Sequence, residues 1–163
     1  MISCDIFDHV KYPAQVILNR FADFETNGVL HLTDFALSYP ATPNMTANVG
    51  AGTALVNGYR IVNDSNPVTL TFATANYTNP RIDLVEVGWS GAGLTGVGVL
   101  NIVTGSPAST PIQPQPTAGC IGLFAVKVNA NQASITANSV TDLRVAMALI
   151  RAVTPFSTLD YWL

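Results

Sequence analysis

The middle of the chain alternates apolar and polar positions with a period of two. Val68, Leu70 and Phe72 alternate with Thr69 and Thr71, the signature of a half-buried strand. Arg81 to Trp89 reads as a second strand, with Ile82, Leu84 and Glu86 on one face and Arg81, Asp83, Val85, Val87 and Trp89 on the other. Val97 to Val103 and Ile121 to Val128 are nearly continuous apolar runs, which predicts strands buried on both faces. Gly50, Gly52, Gly58, Asn66-Pro67 and Asn79-Pro80 punctuate these runs as bends and turns, Gly52 and Gly58 being the candidate turn glycines. Between Ser106 and Pro116 lie Pro107, Pro111, Pro114 and Pro116. That stretch is expected to cross the surface in extended form rather than join a ladder. Many short strands with such turns predict a mainly β fold, an antiparallel β-sandwich-like domain over residues 35–150.

The two ends read differently. Pro13 can open a short helix running to Phe21, with Val16, Ile17, Arg20 and Phe21 on neighbouring faces and Asn27-Gly28 as its end signal. The β-branched Val16 and Ile17 leave a strand open as the alternative. Residues 1–34 are read as an N-terminal arm on the basis of charge. Lys11 and Arg20 stand against Asp5, Asp8, Asp23, Glu25 and Asp34, whereas charges from residue 35 onward balance. Residues 151–163 form a C-terminal tail, where Pro155 precedes Phe156, Leu159, Tyr161, Trp162 and Leu163. Such an aromatic cluster either packs on its own domain or docks a neighbour, because aromatics are enriched at interface cores. Val16, Phe21 and these five tail residues are the candidate interface.

Composition narrows the function classes. Only 10% of the 163 residues are charged, against about a quarter in an ordinary soluble domain; 17 Thr and 13 Asn supply polarity instead. Seven Lys and Arg against ten Asp and Glu leave no basic stripe for a phosphate backbone, so no nucleic-acid partner is expected. A mean hydropathy of +0.34 argues against disorder. Asp5 and Asp8 stand where a secretory signal would carry positive charge and then an apolar run. The longest aliphatic run, Val145 to Ile150, falls far short of the roughly 20 residues that span a bilayer. A chain made in a cytoplasm, with no membrane partner, is therefore expected. Cys4 and Cys120 have no metal-ligand spacing and read as free thiols.

Several motifs suggest chemistry and then fail on context. Gly91-Ala92-Gly93-Leu94-Thr95-Gly96 is a literal G-x-G-x-x-G. A dinucleotide site needs a helix next and an acid about 20 residues on; here a strand follows, and no Asp or Glu occurs between Glu86 and Asp142. A hairpin tip explains these glycines. Ser90 sits in a near miss to a nucleophile elbow, with Ala92 where glycine belongs and no helix after the turn. Cys4, Asp5, Asp8, His9, His31 and Asp34 lack the close ligand pairs that zinc uses. Asp64, Asp83, Glu86 and Asp142 are the carboxylates available for glycoside chemistry, but Asp83 and Asp142 each have an arginine two residues away. The expectation is no catalytic residue, no cofactor, no metal and no small-molecule substrate: not an enzyme.

Two tripeptides, Arg81-Ile82-Asp83 and Asp142-Leu143-Arg144, hold four of the ten charges after residue 34. In a strand, i and i+2 share a face, so each presents a cation beside an anion, and the four could form one structural ion-pair network if the strands meet in register. Buried charges are costly unless paired. An alternative keeps them apart on the surface.

Taken in order, several pieces resemble bacteriophage tail and baseplate structural proteins. They are Phe21-Ala22-Asp23-Phe24, Asn27-Gly28-Val29, Val49-Gly50-Ala51-Gly52, Asn57-Gly58-Tyr59, Pro80-Arg81-Ile82-Asp83, Gly105-Ser106-Pro107-Ala108, Leu123-Phe124-Ala125-Val126-Lys127-Val128 and Asp142-Leu143-Arg144. The resemblance spans about residues 20–145. It implies the virion-proximal module of a baseplate or tail-fibre protein: a homo-oligomeric adaptor, favoured as a trimer, that joins other virion proteins. This chain stops at Leu163, so no receptor-binding head is expected to follow. The alternatives are a capsid decoration protein and a carbohydrate-binding β-sandwich that uses Tyr59, Tyr77 or Trp89 as a stacking platform.

Overall fold

The computed structural model describes Ala22 and residues 25–64, 66–91 and 96–148. The expected arm helix, with Val16 and Phe21, and the tail 151–163, with Phe156, Leu159, Tyr161, Trp162 and Leu163, lie outside the described residues. Ten strands follow in chain order: β1 (Gly28–Val29), β2 (Leu37–Ser38), β3 (Thr46–Val49), β4 (Gly52–Val56), β5 (Tyr59–Asn63), β6 (Val68–Thr71), β7 (Arg81–Ser90), β8 (Val97–Val103), β9 (Cys120–Val128) and β10 (Val140–Asp142). They form three antiparallel sheets, ordered β1-β4-β5, β2-β3-β6 and β10-β9-β7-β8. The protein is mainly β and sandwich-like.

One apolar cluster joins all three sheets. Ala47, Val49 and Leu70 come from one small sheet, Val29, Ala54, Val56 and Ile61 from the other, and Val85, Val87, Phe124, Val126 and Val128 from the four-stranded sheet. Burial of this kind is the main favourable contribution to folding. The period-two pattern of β6 and the apolar run of β9 place these residues inward as their sequences predict. β7 and β9 lose register between Val85 and Glu86, since Val85 faces Phe124 while Glu86 faces Gly122. Leu123 is the extra residue of this bulge, and it too joins the core.

Both turn glycines have a physical reason. Asn57 (φ 51°) and Gly58 (φ 79°) make the two-residue turn of the β4–β5 hairpin, a left-handed pair that asparagine and glycine tolerate best. Asn27 braces this turn: its Oδ1 accepts from the Asn57 N–H at 2.7 Å, and its Nδ2 donates to Asn57 Oδ1 at 3.0 Å. Gly52 is required by close approach, because a Cβ there would lie 2.5 Å from the backbone nitrogen of Phe35.

Two elements differ from the sequence reading. Residues 28–34 belong to the β block rather than to a separate arm. Val29 is fully buried and pairs with Ala54, while Asp34 Oδ2 accepts from the backbone N–H groups of His31 and Thr53. Asp34 is the one acid among residues 28–34, and its carboxylate braces the loop that follows β1. β8 is the second. It pairs with β7 alone and forms an edge of its sheet, with Val97, Gly98 and Asn101 exposed. A continuous apolar run is compatible with burial on both faces, but it does not guarantee a second neighbour.

Candidate functional site

Charged residues are scarce, and the structure spends four of them on two separate clamps. β9 runs between β7 and β10, so the two tripeptides stand on non-adjacent strands and each pair closes within itself. In the first, Arg81 Nε donates to Asp83 Oδ1 at 2.9 Å, with both side chains buried. The remaining guanidinium nitrogens donate to the backbone carbonyls of Thr74 and Ala73, just beyond β6. In the second, Arg144 Nη2 donates to Asp142 Oδ2 at 2.6 Å, and Nη1 donates to the Asp34 carbonyl at 2.7 Å. The same guanidinium lies 4.9 Å from the Phe124 ring centroid, within cation–π range. Its hydrogen bonds hold the Asp142 carboxyl below the usual carboxylate range, against a smaller opposing effect of burial. Each arginine therefore ties the four-stranded sheet to backbone carbonyls elsewhere in the block.

The buried acids of β7 also position the proline-rich crossing, a role that the sequence did not disclose. Asp83 Oδ1 accepts from the Gly105 N–H at 2.9 Å. Glu86, 1% exposed, accepts from the Thr117 N–H at 2.7 Å. Residues 104–119 carry no regular element between β8 and β9, so these two bonds, with Ala108 N–H to the Pro80 carbonyl, pin the crossing near both ends. The hint in the sequence was a third charged residue, Glu86, set among the apolar residues that follow Arg81 and Asp83 on β7. Cys120 is a free, half-buried thiol beside Glu86. Burial, then the charge and hydrogen bond of Glu86, push its pKa up, which opposes the thiolate a nucleophile needs.

The chain ends of the described block meet. Val29 N–H donates to the Val145 carbonyl, and Met147 N–H donates back to the Val29 carbonyl, at 2.9 and 2.8 Å. Thr26 N–H reaches the Ala148 carbonyl at 2.9 Å, while Ala148 N–H reaches Thr26 Oγ1 at 2.8 Å. Residues 145–148 thereby cover the outer edge of β1, and a Cβ on Gly28 would come within 2.4 Å of the Val145 carbonyl oxygen. The segments before Thr26 and after Ala148 thus join the block side by side.

The aromatic candidates separate. Trp89 stacks on Tyr59 at 4.5 Å between centroids and 11° between planes, and Gly96 packs on the indole so closely that a Cβ there would overlap the ring. Tyr77 is 84% exposed. It projects from a turn braced by Asn76 Oδ1, which accepts from Thr78 and Asn79 N–H, and by Asn131, whose Nδ2 donates to the Tyr77 carbonyl. Among the described residues no three His, Cys, Asp or Glu side chains gather as a metal site requires. No helix among them is long and apolar enough to cross a membrane. Family models, curated proteins and solved structures were compared with the chain, and none matches.

Proposed function

We propose that the chain is a non-enzymatic virion structural protein, an adaptor in a phage tail, baseplate or fibre base that forms homo-oligomers and joins neighbouring virion proteins. The observation that carries this reading is the side-by-side attachment of the two end segments at Thr26 and Ala148. It gives a rigid block two adjacent connectors, one of which carries the aromatic cluster of residues 156–163. The ordered resemblance to tail and baseplate proteins supports the same reading. So does the low charge, since large interfaces are depleted in charged residues at their centres. The mechanism is geometric: the β core fixes where the connectors start, and the connectors dock neighbours.

Immunogold electron microscopy of phage particles, with antibody raised against the chain, tests the placement. Label at the tail tip or fibre base is expected. Label over the head moves the role to capsid decoration, and absence of the chain from the denatured virion by mass spectrometry overturns the structural reading. The braced, exposed Tyr77 favours a second reading, a carbohydrate-binding module. A glycan-array signal abolished by Tyr77→Ala would establish it, whereas Trp89 already has Tyr59 on its ring.

A further inference from the structure

Loops gathered at one end of a rigid β scaffold are where binding residues concentrate. Thr71 faces Thr46, Arg81 faces Val128 and Leu84 faces Val103, so four loops leave the strands at a common end. They are residues 43–45, 72–80, 104–110 and 129–136, and they bond to one another. Phe72 N–H donates to the Met45 carbonyl, Ile135 N–H to that of Asn44, Asn131 N–H to that of Asn76, and Ala108 N–H to that of Pro80. None of the four contains Asp, Glu, Lys, Arg or His. Arg81 and Asp83, which follow the second loop, are buried and closed on each other. The loop surface is therefore neutral.

Tyr77 borders a hollow of about 350 Å³ whose walls include Met45, Thr74, Asn131 and Gln132, within the ~300–1,000 Å³ of small-ligand sites. Its turn is held from two directions, by Asn76 Oδ1 from within and by Asn131 Nδ2 from the loop after β9. A platform fixed before binding gives up little entropy when a ligand arrives. Gln132 is committed to its own turn: Nε2 donates to the Ser134 carbonyl and Ser139 Oγ, while Oε1 accepts from Asn129. The other polar groups of the hollow are not. Among the described residues, Thr74 Oγ1, Asn131 Oδ1 and the Tyr77 hydroxyl take no hydrogen-bond partner.

We propose that this hollow binds a neutral pyranose of a glycan, stacked on Tyr77 and hydrogen-bonded by Thr74 and Asn131. A pyranose has an apolar C–H face and a rim of hydroxyls that both donate and accept. The tyrosine ring offers a flat apolar body for the face and a polar tip beside it. The Thr74 hydroxyl and the Asn131 amide oxygen suit the rim. Charge selects the class of sugar. A sialylated, uronic or sulfated residue loses solvation of its anion on binding and needs a cation in return, and the four loops hold none. This names the sugar class for the carbohydrate-binding reading above and rests on that reading.

Binding of the full chain to an array of neutral hexose and N-acetylhexosamine oligosaccharides, printed beside sialylated and sulfated ones, tests the site. Signal on neutral glycans is expected, and it should not change from low to high salt, because no ion pair is made. Tyr77→Ala should weaken it about tenfold, the worth of a lost ring stack, whereas Tyr77→Phe keeps the platform and most of the signal. Thr74→Val, close in shape to the parent, should weaken it with unchanged circular dichroism. A folded Tyr77→Ala chain with the parent's signal on neutral glycans overturns the site. Signal confined to acidic glycans overturns the neutral class while leaving carbohydrate binding intact. No signal on any glycan removes both and leaves the loop end to protein contacts.

Discussion

Arg81 is the residue on which the most depends. Its guanidinium satisfies Asp83, which is fully buried, together with two carbonyls beyond β6. Removing one partner of a buried pair leaves the other charge uncompensated, at a cost of about 3–5 kcal/mol. Arg81→Ala should therefore lower the melting temperature by roughly 10 °C; an unchanged melting temperature would contradict the clamp. The Asp142–Arg144 pair is half-exposed at the carboxylate, so its contribution is no more than about 1 kcal/mol. Because the folded-state pKa of Asp142 is depressed, its stabilisation is present above the ordinary Asp value of about 3.9 and is lost as pH falls through the lower folded value. Urea midpoints of the parent and Arg144→Gln, followed from neutral to acid pH, should converge in that window. A difference that stays constant with pH would assign the effect of Arg144 to Phe124 and the Asp34 carbonyl instead.

Among the elements, those set by local pattern could be read from the sequence. The alternation of β6, the long strand β7, the Asn57-Gly58 turn and the irregular proline-rich crossing all follow from side-chain period or backbone preference. What escaped depends on contacts distant in sequence. Gly28 looked like a helix-terminating turn, yet it lies in a two-residue strand that pairs with β4 on one side and meets residues 145–148, more than a hundred positions away, on the other. No local period can reveal a strand that short. The exposure of β8 escaped for a related reason: hydrophobicity reports what a strand can bury, whereas the number of neighbours is set by topology. The ion pairs were legible as pairs, because i and i+2 share a face. That they would clamp separate carbonyls rather than each other was fixed by β9 running between them. Gly28→Ala tests the long-range junction. Its methyl group would meet the backbone at Val145 and Met147, and overpacking of this kind costs about 1–3 kcal/mol. Faster amide exchange at Val29 and Met147 than in the parent is expected, and unchanged protection would show that the junction yields freely.

For the whole molecule, the β block and the two connectors should be separable. The core cluster and both arginine clamps lie within residues 25–148. Removing residues 151–163 is therefore expected to leave the circular dichroism and melting temperature close to those of the parent while lowering the mass of higher assemblies in light scattering. A truncated chain with the parent's assembly mass would take the tail out of docking. The same architecture has a mechanical consequence. Because the two segments attach at Thr26 and Ala148, held to each other by a pair of hydrogen bonds, tension entering through one and leaving through the other follows a short path along β1 and residues 145–148. Most of the sandwich lies off this path, so opposed pulling loads first the small patch of backbone pairing between β1 and residues 145–148.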